Sequence, residues 1–335
     1  MSLLQIHNVQ MPSDCSSDLS QITPSLFLSG VGPAQNLPLL KENSITHILG
    51  IGLRLKARFP NEVTYKHLSL EDDPQVDIMR YFPETYRFID EAVKGNGRVL
   101  VHCIAGISRS ATIVIAYFMK SESIGLYEAR QKVKSKRRII HPNSGFIKQL
   151  KLFEEMRCEL DMSHQQYRQF LMTKIAREKM GKFLMDDSER ASISTLDTLI
   201  TPTTSSQPDP SDDRKPASTR RLRCKKCRTD LVSEKHLVVH ESGAGQAAFG
   251  YRKRDMTLTP TASQCASYHI EPVEWIKGVN DGELEGKIVC PNPKCEAKLG
   301  AWSWAGAPCS CGAWVAPSFS IHRNKVDESF SVPVE

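Results

Sequence analysis

No stretch of this chain approaches the roughly 20 consecutive apolar residues that a membrane-spanning helix needs, so a membrane partner is not expected. The first twenty residues hold no basic segment followed by a long apolar core, so no secretory leader is expected. No internal repeat is visible. Neither sign of charge dominates: 44 Lys and Arg face 38 Asp and Glu, a net charge of +6. That surplus suits contact with phosphate or RNA without demanding either. Cysteine is sparse through the first two thirds, where Cys15, Cys103 and Cys158 each stand alone. The other seven (Cys224, Cys227, Cys265, Cys290, Cys295, Cys309 and Cys311) crowd the last third. Without a secretory leader, such clustering reads as metal binding rather than disulfides. Tryptophan is missing before Trp275, and Trp302, Trp304 and Trp314 complete the set. They suit a small core, or a partner surface where exposed.

What is there, at 335 residues, is room for two domains. Strand-like apolar segments at 25–29, 45–51, 63–70 and 98–102 alternate with helical patterns at 36–41, 78–93, 110–121, 126–137 and 146–156. This alternation predicts a three-layer α/β domain with a mainly parallel sheet over 19–160. A helical extension follows at 161–185, with no evident partner. Residues 186–219 are rich in Ser, Thr, Pro and Asp and read as a disordered linker. A second, metal-binding domain is expected over 220–327.

The most informative stretch is Val99-Leu-Val-His102-Cys103-Ile104-Ala105-Gly106-Ile107-Ser108-Arg109-Ser110. It reads as a buried strand, a short loop and a helix. A cysteine just ahead of a helix N-terminus sits where backbone N–H groups and the helix dipole favour negative charge. Only the thiolate is a good nucleophile. Gly106 opens backbone angles closed to other residues, so successive amides can converge as an anion nest. Arg109 adds a planar fork for two phosphate oxygens. A phosphate-binding cup with a nucleophile at its base is the reading.

A leaving alkoxide or phenoxide needs a proton. Candidate acids lie in Leu70-Glu-Asp72-Asp73-Pro74-Gln-Val-Asp77-Ile78. Asp73 precedes a proline and reads as loop, and Asp77 reads as a helix N-cap. Physical argument alone does not separate Asp72 from Asp73. Asn143 reads equally as a support for the nucleophile loop or as a turn residue after Pro142. The basic run Arg130, Lys132, Lys134, Lys136, Arg137 and Arg138 reads as a solvated helix face rather than an acidic-substrate or RNA contact.

His102-Cys103-Ile-Ala-Gly106-Ile-Ser-Arg109-Ser110-Ala-Thr resembles the signature of dual-specificity protein phosphatases in the cysteine-phosphatase superfamily. Leu26-Phe-Leu-Ser-Gly, Pro142-Asn143, Phe146 and Gln149 match the same family, across the whole first domain. The resemblance implies in-line attack on phosphorus by Cys103 to give a phosphocysteine. It implies that Arg109 and the amides of Ile104, Ala105, Gly106, Ile107 and Ser108 hold the equatorial oxygens, and that Ser110 stabilises the departing thiolate. His102 would order the loop. The resemblance also selects Asp72, because the family places its acid six residues before the first apolar residue of the next helix, here Ile78. With no long insertion to wall it, the cup would be shallow enough for phosphoserine and phosphothreonine as well as phosphotyrosine.

In the last third, Cys224-x2-Cys227, Cys290-x4-Cys295 and Cys309-x-Cys311 have zinc-ligand spacing. Seven thiols leave one place open in two tetrahedral sites. His240 fills it best, and His236, His269 and His322 are the alternatives. The local pairing puts Cys224, Cys227, His240 and Cys265 on one ion and Cys290, Cys295, Cys309 and Cys311 on the other; an interleaved pairing is the alternative. Two structural zinc ions are expected, because four protein ligands leave no open position. Arg220, Arg221, Arg223, Lys225, Lys226 and Arg228 flank the first pair and suit an RNA contact, a nuclear address or a solvated face. Glu271-Pro-Val-Glu-Trp275, Lys298-Leu-Gly300, Cys309-Ser-Cys-Gly312 and Ile321-His-Arg-Asn resemble the Yvh-type members of the family. The six-residue Cys290–Cys295 knuckle is wider than theirs. This resemblance implies phosphoprotein substrates and maturation of the large ribosomal subunit through the zinc module. It also implies a place in nucleus and cytoplasm, with an alternative role as an assembly factor whose catalysis is dispensable.

Overall fold

Every residue of 26–29 and 99–102 is buried, the mark of strands covered by helices on both faces. In the computed structural model of the chain, residues 18–183, 219–243 and 265–331 are described. They divide into two units, one ending at Met162 and the other starting at Ser163.

The first unit runs β1 (Leu19–Thr23), β2 (Leu26–Ser29), α1 (Val31–Ala34), α2 (Leu37–Glu42), β3 (His47–Ile51), β4 (Thr64–Leu68), α3 (Phe82–Lys94), β5 (Val99–His102), α4 (Arg109–Ser121), α5 (Leu126–Lys136) and α6 (Ser144–Glu155). The sheet order is β1-β2-β5-β3-β4. Only β1, a strand without a clear sequence signal, is antiparallel to its neighbour. Phe27 lies beside Leu100, and Leu100 beside Ile48. These three join Ala34, Leu40, Ile45 and Val63 in one apolar cluster, so α1 and α2 cover that face. Strand alternation turns Leu28, Val101 and Leu49 the other way, where α3 and α4 lie against β5. The result is the expected three-layer α/β domain with a mainly parallel sheet. α4 is buried along almost its whole length, which fixes the position of its first residue, Arg109.

The second unit opens with α7 (Gln165–Phe183), followed by β6 (Thr219–Cys224), β7 (Asp230–Ser233), β8 (Leu237–Val238), β9 (Ser267–Ile270), β10 (Glu285–Val289), β11 (Lys298–Ser303), β12 (Ala307–Pro308), β13 (Trp314–Val315), β14 (Ser318–His322) and β15 (Val326–Ser331). The sheets are β10-β11-β14-β9-β8, β15-β6-β7 and the β12-β13 hairpin. Trp302 stacks on Phe319 at 5.9 Å, and Trp304 meets the same ring edge-on at 5.2 Å. Both indoles are buried, whereas Trp275 is half-buried and Trp314 is exposed.

Sequence gave α7 no partner, and the structure supplies one. Tyr167, Leu171, Met172, Ile175 and Ala176, at helical spacing, are buried. Arg168 pairs with Glu271 at 2.7 Å, both inaccessible to solvent. Burial pushes the Glu271 carboxyl up and the Arg168 guanidinium pulls it back. Lys179 donates to the Val279 carbonyl at 2.6 Å and lies 5.0 Å from the Trp304 ring. The 186–219 segment read as a linker lies outside the described residues except for Thr219, which opens β6. Among the described residues, no helix is long and apolar enough to cross a membrane.

Candidate active site and metal centres

Strand β5 stops at His102 and α4 starts at Arg109, and residues 103–108 bend into a cup between them. Gly106 makes the bend possible. Its φ is +70°, and a Cβ there would overlap the backbone of Ser29. Cys103 is buried at the base. Its Sγ accepts the Gly106 N–H and the Ser110 hydroxyl, each at 3.2 Å. Two donors aimed at one sulfur suit the nucleophilic thiolate. The Ile104 carbonyl accepts the Val31 N–H at 3.0 Å, and the Ile107 carbonyl accepts the His141 N–H at 2.9 Å. The loop carbonyls are thus engaged from outside the cup.

Arg109 donates from Nη1 to the Leu70 carbonyl at 3.3 Å. Its buried Nε makes no hydrogen bond, and the carboxylate beside it is Asp72, at 3.5 Å. A buried guanidinium N–H that makes no hydrogen bond, with the Asp72 carboxylate at ion-pair distance, is a donor that a phosphate oxygen would take. His102 is buried, with Nδ1 3.2 Å from the Cys103 carbonyl oxygen. Burial pushes its imidazole down to about 4, so the ring is neutral near pH 7.

The structure separates the three aspartates. Asp72 Oδ1 accepts from Ser108 Oγ at 2.6 Å and from Asn143 Nδ2 at 2.9 Å. Asp73 instead accepts the Gln75 N–H at 2.7 Å in a local turn. Asp77 is buried and accepts the Arg80 N–H at 3.2 Å at the head of a short helical turn. Asp72 is tied to the cup through Ser108. Asn143, for which sequence left two roles open, braces Asp72, donates its N–H to Ser108 Oγ at 3.1 Å, and caps α6 by accepting the Phe146 N–H at 2.9 Å. Gln149 fastens the rest of this loop. Its Oε1 accepts the Ile78 and Met79 N–H groups, both at 3.0 Å, and its Nε2 donates to Val76.

One sequence reading of the first unit is corrected. Arg137 is not on a solvated face. It is buried and its guanidinium is bonded to the loop carbonyls of Ala105 and Gly106. The signal was available: Leu126, Ala129 and Val133 form the buried stripe of α5, and Arg137 is the next position on it. Lys134, Lys136 and Arg138 are exposed as expected.

In the second unit two groups of donors could each hold a metal ion: Cys224, Cys227, Cys290 and Cys295, and His240, Cys265, Cys309 and Cys311. All eight expected ligands are used, but the local pairing is overturned in favour of the interleaved one. Topology is the reason. Cys224 ends β6, which lies in the β15-β6-β7 sheet, whereas β8 pairs with β9 and brings His240 to Cys265. The distances fit zinc. Cys227 Sγ is 3.5 Å from Cys290 Sγ, and Cys224 Sγ is 3.9 Å from Cys295 Sγ. A tetrahedron with Zn–S bonds of about 2.3 Å has edges of about 3.8 Å. His240 Nε2 lies 3.3 Å from Cys311 Sγ and 3.5 Å from Cys265 Sγ, where mixed Zn–N and Zn–S bonds put about 3.6 Å. The wide Cys290–Cys295 knuckle still delivers both thiols, because the Asn292 carbonyl accepts the Cys295 N–H at 2.9 Å. The alternative ligands are engaged elsewhere or lie outside both groups. His236 sits 3.1 Å from Ser233 Oγ, His269 packs edge-on against His240, and His322 sits 3.2 Å from Ser267 Oγ.

Four of the six basic residues around the first knuckle make ion pairs, on three carboxylates. Arg220 pairs with Glu328 at 2.6 Å, Arg221 and Arg223 both pair with Asp230, and Arg228 pairs with Asp327. The paired arginines tie β6 and its turn to β7 and β15, while Lys225 and Lys226 are exposed.

Comparison with known proteins agrees with this geometry. A family model described as "Dual specificity phosphatase, catalytic domain" matches residues 26–156. The chain is 32% identical over 331 residues to dual specificity protein phosphatase 12 of Mus musculus, covering 96% of this chain and 92% of that protein. It is 34% identical over 325 residues to tyrosine-protein phosphatase yvh1 of Schizosaccharomyces pombe, covering 96% and 88%. It is 30% identical over 350 residues to tyrosine-protein phosphatase YVH1 of Saccharomyces cerevisiae, covering 93% and 92%. Because these relatives span both the cup and the cysteine-rich unit, the chain belongs to the Yvh-type dual-specificity protein phosphatases.

Proposed function

We propose that this phosphatase hydrolyses phosphotyrosine and phosphoserine or phosphothreonine through a phosphocysteine at Cys103. The observation that carries this is the convergence on one cup of Cys103, the unbonded Nε of Arg109 and the braced Asp72. Cys103 attacks in line. Arg109 and the amides of residues 104–109 hold the developing charge, usually the largest catalytic effect, and Asp72 protonates the leaving oxygen. Water then attacks the phosphocysteine while Ser110 stabilises the departing thiolate. Asp72→Asn is expected to slow turnover by about 10²- to 10⁴-fold and to flatten the alkaline limb of the pH–rate profile. Asp73→Asn should leave both unchanged. The reverse pattern would move the acid to Asp73. Matched phosphotyrosine, phosphothreonine and phosphoserine peptides test the breadth of substrate, and turnover of phosphotyrosine alone would overturn it.

We further propose that both donor groups hold structural zinc, and that this module acts in maturation of the large ribosomal subunit, in nucleus and cytoplasm. The resemblance over Glu271–Trp275 and Ile321–Asn324 supports it. A second reading makes the module the working part and catalysis dispensable, and the division of the chain into two units favours it. Complementation of cells lacking their own relative separates the two. The cut must fall before Ser163, not Arg220, because α7 supplies Arg168 to the buried Glu271, and breaking such a pair costs about 3–5 kcal/mol. Rescue by Cys103→Ser but not by residues 1–162 alone favours the scaffold reading. The opposite result favours the enzyme.

A further inference from the structure

The cup works only if its amides face inward, and four consecutive loop carbonyls are held outward to make them do so. Backbone N–H groups of Val31 and His141 hold the first and fourth, Ile104 and Ile107. The middle two, Ala105 and Gly106, are both held by the side chain of Arg137. Its Nε donates to the Gly106 carbonyl at 2.9 Å and its Nη2 to the Ala105 carbonyl at 3.3 Å. From the other edge of the fork, Nη1 donates to Ser20 Oγ at 3.0 Å and to the Asp18 carbonyl at 3.2 Å, with the Asp18 carboxylate at 3.5 Å. The side chain is 1% exposed, while Lys136 and Arg138 on either side are in solvent.

In a trans peptide the N–H points opposite to the C=O. Holding the Ala105 carbonyl therefore aims the Gly106 N–H, and that N–H lands on Cys103 Sγ. Holding the Gly106 carbonyl aims the Ile107 N–H in the same sense. A cation on the carbonyl side also polarises each peptide and strengthens its N–H as a donor. Gly106, with no side chain and a left-handed φ, is the loop residue freest to rotate these planes away.

We propose that Arg137 is a positioning residue for the reaction: from behind the loop it sets the orientation and donor strength of the Gly106 and Ile107 amides. It acts through the backbone and touches neither substrate nor sulfur. This rests on the cup being the phosphate site, which turnover by the unaltered protein tests separately.

The experiment uses the full chain, an aryl phosphate substrate and orthovanadate as the oxyanion probe. Arg137→Met is expected to lower kcat at least about 10-fold, toward the roughly 10²- to 10³-fold known for loss of one oxyanion donor. The vanadate inhibition constant should rise in parallel. Arg137→Lys, which keeps the charge but loses the fork, should fall between Arg137→Met and the native protein on both measures. Val133→Ala, a cavity on the same buried stripe, should lower Tm while leaving kcat and vanadate inhibition unchanged below its transition. Native kcat and vanadate inhibition in Arg137→Met would overturn the proposal. So would losses in Val133→Ala that match those of Arg137→Met at equal loss of Tm. If Arg137→Met does not fold, Arg137→Lys decides alone: a several-fold loss on both measures supports the proposal, and native values overturn it.

Discussion

Cys103→Ser is expected to lower turnover by roughly 10⁴-fold or more while leaving phosphopeptide binding within about 10-fold of the native value. Serine is close to isosteric, so the amide nest, Arg109 and the Asp72 brace keep their places. The Gly106 N–H and the Ser110 hydroxyl, which now point at sulfur, would point at a hydroxyl instead. What is lost is the nucleophile, because a serine hydroxyl beside no general base is a poor one. His102 does not substitute as that base. It is buried behind the loop, with Nδ1 on the Cys103 carbonyl. Single-turnover release of inorganic phosphate measures the loss, and binding of a fluorescent phosphopeptide measures what is kept. Turnover in Cys103→Ser near the native rate would place the nucleophile elsewhere and remove the basis of the phosphocysteine mechanism.

The split between binding and chemistry follows from how the site is built. Each loop carbonyl is engaged from outside the cup, so the anion site exists before any anion arrives. Asp72 is placed in the same way. Ser108 and Asn143 hold its carboxylate, and Gln149 pins the following turn to α6. A Cβ on Gly145 would overlap the Pro74 carbonyl, so α6 approaches the acid loop as closely as a backbone can. Preorganised donors cost no rearrangement at the moment of reaction. The same rigidity predicts that errors in supporting residues will appear in kcat as well as in stability.

The strand–loop–helix core of the site was legible because it is local. Val99–Val101 is an unbroken apolar run ahead of His102, Gly106 marks the turn, and Arg109 opens a helix that is apolar from Ile113 to Ala116. What sequence missed was non-local. Arg137 reaches the loop from 31 residues away and Asn143 reaches Asp72 from 71 residues away. The α5 stripe marks Arg137 as buried but not what it reaches, and sequence left Asn143 between two roles, because the partner of each is set by the fold. Strand β1 was missed for a different reason. It is an edge strand of alternating burial, and Ser20 and Thr23 dilute its apolar signal. In the second unit the ligand types and spacings named all eight donors, because knuckles are local. The grouping failed because it depends on which sheets the knuckles end in, and distance along the chain is a poor guide to that. α7 likewise meets its partner through non-local contacts, Arg168 with Glu271 at 103 residues apart and Lys179 with Val279 at 100.

The interleaved grouping makes the second large prediction. Removing metal should unfold the second unit and spare the first. Structural zinc contributes about 10–16 kcal/mol of apparent binding free energy in small zinc-finger peptides, comparable to the whole stability of an ordinary domain. Cysteine ligands bind metal as thiolates, so binding displaces their protons and retention should weaken as pH falls. All four tryptophans lie in the second unit. A strong chelator should thus change tryptophan emission fully while aryl phosphate turnover, which belongs to a unit without tryptophan, continues. Paired substitutions then test the grouping itself. Cys227→Ser and Cys290→Ser should each release one metal equivalent, and the double variant should release no more than either alone, because both thiols belong to one donor group. Cys227→Ser with Cys311→Ser should release two. Release of two equivalents by the Cys227 and Cys290 pair, with the second unit still folded, would restore the local grouping and refute the one in the structure.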